Sequence, residues 1–137
     1  MQQLVPDARE STIFALVAAL GRRDRKGSLE ILDTLVRDGE YLPLALAFLA
    51  TQFRFALAAK EAKLTNAQAI QGHFSKQGVP MWRARAEQIQ QTAAAFQAGQ
   101  MRSAMQWIFQ ADKGLRDTRP DDRTVMEQFI LKLTAKG

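Results

Sequence analysis

A chain of 137 residues with no cysteine and a net charge of +5 is long enough to bury a core and fold as one domain. The missing cysteines exclude disulfides and thiolate metal centres and fit a reducing compartment. No uninterrupted apolar run is long enough to span a bilayer, and residues 1–7 lack the basic and apolar regions of a signal peptide, so a cytoplasmic location without membrane contact is expected.

Residues 1–10 read as an extended lead-in or linker, because Pro6 and Asp7 break a helix; residues 11–137 then form the helical domain. Ser11 is the expected N-cap of a first helix over 12–20, with Ile13, Leu16, Val17 and Leu20 as its apolar stripe and Gly21 as its stop. Arg22-Arg23-Asp24-Arg25-Lys26 is a basic cluster at the turn. It reads either as a solvated corner or as a contact to phosphate or an acidic partner. Asp24 should cap a second helix over 25–38, which turns Leu29, Leu32, Leu35 and Val36 inward and ends at Gly39. These two helices make a short antiparallel hairpin.

The third helix, over 42–63, is the one the rest should pack around. Leu42, Leu46, Leu49, Phe53 and Leu57 recur at steps of three and four, and Ala45, Phe48, Phe55 and Ala59 cover much of the remaining surface. A helix apolar nearly all round is expected to be buried among others. Pro43 suits its first turn, and Gln52-Phe53-Arg54 is a polar–aromatic–basic triplet within it.

Thr65 and Gln68 have the spacing of a capping box for a short helix to residue 76, which carries Ile70 and Phe74 and stops at Gly78. Pro80 opens a fifth helix over 81–97, with Trp82, Ala86, Ile89, Ala93 and Phe96 on one face, and Gly99 punctuates. A sixth helix over 100–115 buries Met101, Met105, Ile108 and Leu115. The polar stretch 118–122, with Pro120, is a loop, and Asp121 or Asp122 caps a last helix over 123–135 that buries Met126, Phe129, Ile130 and Leu133. No segment alternates as a strand does. The expected fold is therefore all-α, a single compact domain of about six to seven helices around the helix at 42–63.

Chemistry-bearing patterns are sparse. The one histidine, His73, has no local acid–base partner and reads as structural or surface. There is no G-x-x-x-x-G-K-[ST] phosphate loop and no cluster at metal-ligand spacing, so no catalytic, cofactor or metal residues are assigned and the chain is not read as an enzyme. Trp82 lies on the apolar stripe of its helix and reads as core. Trp107 sits between Met105 and Ile108 and is either core or a half-exposed interface anchor. Asp112 falls on the apolar stripe of the sixth helix, and Arg54 interrupts the third. A carboxylate on an apolar face needs a partner, so Arg54 and Asp112 are expected to meet; the alternative is that each reaches solvent alone.

In order along the chain stand Glu10-Ser11-Thr12-Ile13-Phe14-Ala15-Leu16-Val17-Ala18-Ala19-Leu20, the Leu29-x-x-Leu32-x-x-Leu35 helix ending at Asp38-Gly39-Glu40, Leu49-Ala50-Thr51-Gln52-Phe53-Arg54 and, downstream, Ala111-Asp112-Lys113-Gly114-Leu115-Arg116. This order resembles the C-terminal domain of the delta subunit of the bacterial DNA polymerase III clamp loader, from about residue 5 to 133. The resemblance implies a non-catalytic collar domain that joins delta to delta-prime and gamma/tau in a ring above primer–template DNA. It also implies that sliding-clamp contact belongs to N-terminal domains this chain lacks, as an excised collar domain would. It places the 116–123 loop near the template, where Arg116, Arg119 and Arg123 would touch DNA phosphates against the counter-charge of Asp117, Asp121 and Asp122. The reading from a different class is a free-standing basic helical domain that binds nucleic acid directly. The spread of basic residues over several helices and turns favours the assembly module.

Overall fold

The computed structural model describes residues 8–116 and 121–135, apart from the side chains of 8–11. Among these residues the chain forms seven helices and no strand. They are α1 (Ala8–Gly21), α2 (Arg25–Arg37), α3 (Leu42–Glu61), α4 (Ala67–Lys76), α5 (Arg83–Ala95), α6 (Ala98–Leu115) and α7 (Asp122–Leu133).

Short polar side chains set most of the starts. An Asp24 carboxylate oxygen accepts the Gly27 N–H at 2.9 Å, and an Asp121 oxygen accepts the Thr124 N–H at 2.9 Å. These satisfy N–H groups that a helix leaves without an internal partner. Three expected starts are corrected. The first helix begins at Ala8, so Ser11 lies inside it and residues 8–10 are helical rather than extended. The cap of α4 is Asn66, whose Oδ1 accepts the Ala69 N–H at 2.8 Å, one residue beyond Thr65. A Gln97–Gln100 capping box starts α6 at Ala98, which places Gly99 in the first turn instead of between helices.

The ends of α1 to α4 follow one pattern, with a left-handed residue beyond the cap. After α2, Gly39 takes φ +69°, its N–H bonds to the Val36 carbonyl and the Glu40 N–H to the Leu35 carbonyl. Two residues with side chains hold the same left-handed position, Arg23 (φ +62°) after α1 and Lys63 (φ +60°) after α3. The left-handed position after α1 thus belongs to Arg23, and Gly21 is the last residue of the helix, as expected. It is small because α1 meets α3 and α5 there: a Cβ on Gly21 would collide with Gln52 Nε2 and Thr92 Oγ1.

The helices α1, α2, α7, α6 and α3 pack in succession into a closed circuit, with α5 against α3 and α1, and α4 against α5. Phe53, Leu46 and Leu49 of α3 are fully buried with Leu16, Leu35, Ile89, Met101 and Met126. Phe53 meets Phe96 edge-on, ring centres 5.0 Å apart. The buried polar pair of the centre is satisfied, Gln52 Nε2 donating to Thr92 Oγ1 at 2.8 Å. By length and composition α3 is apolar enough to cross a bilayer, but half of that stretch is buried inside the domain.

Two arginines of the basic cluster act within the fold. Arg25 donates from Nε to Thr134 Oγ1 and from Nη2 to the Leu131 carbonyl, both at 2.9 Å. Arg23 lies 5.0 Å over the Phe96 ring and donates to the Ala95 and Ala135 carbonyls. Cations placed on the last carbonyls of α7 complement the negative end of that helix and tie it to α1 and α2. The cluster is thus neither a bare solvated corner nor, at these two positions, a site open to a partner.

Candidate docking surface on the central helix

The inner side of α3 is core, but among the described residues its outer side is only partly covered. Leu44, Ala47, Phe48, Thr51 and Arg54 follow the three–four spacing of one helical face, and Leu44, Ala47 and Arg54 are exposed. The expectation that α3 is buried on all sides is corrected here: an apolar surface runs along its outward face, with a groove on each side.

The first groove, about 490 Å³, lies between α3 and α6. Tyr41, Leu44, Ala50, Ile108 and Phe109 line its apolar part, and Tyr41 and Phe109 are 71% and 70% exposed. Arg54, Asp112 and Arg116 line it as well. The structure brings the expected pair Arg54 and Asp112 to one groove but gives Asp112 a different partner. Arg116 Nη2 lies 3.0 Å from Asp112 Oδ2, one turn along α6. Among the described residues Arg54 forms no ion pair and stays in solvent. The reason is local: at a spacing of four, an arginine on the same helix reaches the carboxylate without any cross-helix geometry.

The second groove, about 390 Å³, lies between α1, α3 and α5 and is lined by Phe14, Val17, Phe48, Trp82, Arg85 and Gln88 among others. Phe14 and Phe48 stack with centres 4.9 Å apart. Trp82, expected in the core, is the exposed N-cap residue of α5. Its position one residue before the helix, with extended backbone, takes it off the stripe that Ala86, Ile89 and Ala93 follow.

The remaining expected residues fall elsewhere. Trp107 is half-buried against the core and faces α7, beside Phe129 and Lys132. Arg123 is held by Asp33 of α2 at 2.9 Å and by Glu127 at 3.9 Å. Arg119 lies outside the described residues, as do Asp117 and Pro120. His73 is half-buried, edge-on to Phe74 and 3.3 Å from the Gln77 side-chain nitrogen. Among the described residues no group of three or more His, Cys, Asp or Glu side chains is placed to hold a metal ion. Sequence reasoning missed Tyr41, Leu44, Phe109 and Phe14. The available signal was the excess of apolar residues on α3 beyond what one buried face needs, together with Phe109 standing off the Met101–Met105–Ile108 stripe.

The profile of the family described as "DNA polymerase III delta subunit, C-terminal domain" matches residues 10–133. The chain belongs to that family. The delta C-terminal domain described here also has the fold of a solved structure, the Bacillus subtilis DNA clamp loader delta protein (YqeN), with a TM-score of 0.71 and 24% identity. That similarity covers 97% of this chain and 38% of the Bacillus protein, so the delta C-terminal domain spans well under half the length of that relative. No curated protein sequence matches the chain. The chain is thus an all-helical member of the DNA polymerase III delta C-terminal family, and Tyr41, Leu44 and Phe109 expose apolar surface where α3 and α6 meet.

Proposed function

We propose that this delta C-terminal domain is a non-catalytic oligomerisation module that joins delta to the collar domains of delta-prime and gamma/tau through the outward face of α3. One observation carries the reading: Tyr41, Leu44 and Phe109 expose an apolar surface beside the helix around which the domain is built. Burying side chains of this size against a partner supplies about 1.5–3 kcal/mol each, and exposed apolar surface of this kind marks interaction sites. In this role the domain acts mechanically. A rigid helical body holds one end of the assembly while the other subunits move, and clamp contact belongs to the parts of delta outside this chain. A cytoplasmic location follows from the replication role.

Mixing the chain with purified gamma/tau and delta-prime subunits and measuring mass by light scattering tests the reading. A larger, salt-tolerant species is expected; separate species, with all components folded, would refute it. The reading as a free-standing nucleic-acid-binding domain has less support, because Arg23 and Arg25 are engaged inside the fold. A contact of Arg116, Arg119 and Arg123 with primer–template DNA is a separate part of the proposal. Unchanged DNA affinity of the assembled loader after all three are replaced by alanine would remove it.

A further inference from the structure

The groove between α1, α3 and α5 has a chemistry of its own. Arg85 lies 4.9 Å over the Phe55 ring and 5.9 Å from the Trp82 ring centre, held between the two. No described carboxylate lies within ion-pair distance of it, whereas its neighbour Arg83 is neutralised by Glu87 at 3.3 Å. Among the described residues no acidic side chain lines the groove, and the surfaces around Arg85 are the Phe14–Phe48 stack and the 60% exposed Trp82. A guanidinium held over aromatic rings with no carboxylate partner keeps donors available for one. Tryptophan and arginine beside an apolar pocket are the residue types that anchor protein interfaces. A nucleic-acid track would need several cations along a backbone, and among the described residues this groove is lined by one.

We infer that this groove is a second docking site, separate from the α3/α6 groove, which receives an apolar segment of a partner subunit bearing a carboxylate that Arg85 grips. The inference rests on the assembly reading and assigns it a second, charge-selective surface. The apolar segment covers Phe14, Phe48 and Trp82, and the carboxylate fixes its register.

The test measures binding of the chain to gamma/tau and to delta-prime separately, for wild type, Arg85→Glu, Arg85→Lys and Trp82→Ala, each checked for an unchanged helical melt. Arg85→Glu and Trp82→Ala are expected to weaken one of the two partners by about tenfold or more. Arg85→Lys should recover part of the loss, since it keeps the charge without the planar fork. A Trp107→Phe background leaves Trp82 as the sole tryptophan, and its emission should shift to the blue on binding that partner. If wild type binds and all variants bind both partners equally well, with no shift, the second site is overturned while the assembly reading stands. If wild type binds neither partner, both fall. Retention of a single-stranded dT oligonucleotide by the free chain, lost in Arg85→Glu, would overturn the protein-docking assignment in favour of nucleic acid.

Discussion

The two sides of α3 are built from similar residues and do different work. On the inner side Leu46, Leu49 and Phe53 are fully buried and close the circuit of helices around them. On the outer side Leu44 and Ala47 are exposed and line a groove with Tyr41 and Phe109, while Phe48 is half-covered by Phe14 of α1. Hydrophobicity alone does not separate the sides. What separates them is which neighbours the topology supplies, so apolar surface on one side gives stability and on the other stays available for association.

Substitutions break or sharpen that contrast. The largest effect is expected for Phe53→Ala, which leaves a cavity beside Phe96 and should lower unfolding free energy by about 3–5 kcal/mol in a urea titration. Gly21→Ala comes next: the new methyl group meets the Gln52–Thr92 hydrogen bond from α1, at an expected cost of about 1–3 kcal/mol, measured in the same way. Lys63→Gly should do the reverse. It relieves a left-handed residue at the end of α3 and should raise stability by about 1 kcal/mol, visible as a higher urea midpoint. Leu44→Ser and Phe109→Ser, on the outer side, should change stability by no more than about 0.5 kcal/mol while abolishing association with partner subunits.

The smallest effect expected is one of pH. Hydrogen bonds from the Thr124 side chain and N–H hold the Asp121 carboxyl below its usual range, aided by Arg123 and opposed by burial. A depressed folded-state value means the contribution is present at neutral pH and lost as pH falls through that value. An Asp121→Asn variant keeps a capping oxygen and should lose less stability than wild type between about pH 5 and pH 2, as followed by circular dichroism.

Much of the fold was legible because helix periodicity and capping are local. The stripes of α1, α2, α6 and α7 follow from spacing, and Asp24 and Asp121 cap where their position implies. The stop of α1 at Gly21 was legible but the packing role of that residue was not, because a glycine can serve a turn or a close approach, and only the crossing with Gln52 and Thr92 shows the second. Trp82 was misread for a related reason. It continues the numerical stripe of α5 but precedes the helix, so the spacing no longer describes its direction. The candidate surface was the least legible part. A sequence shows that α3 is apolar all round without showing on which sides the domain has helices to cover it. The expected Arg54–Asp112 contact is not formed, although both residues line the groove between α3 and α6.

The most direct test of the central claim is a sedimentation-velocity comparison of wild type and a Leu44→Asp/Phe109→Asp double variant, each mixed with gamma/tau and delta-prime subunits, alongside their thermal melts. The account expects equal melts, a faster-sedimenting complex for wild type and only free components for the variant. A complex of undiminished size formed by a folded double variant would contradict the assignment of the outward face of α3 as the assembly surface.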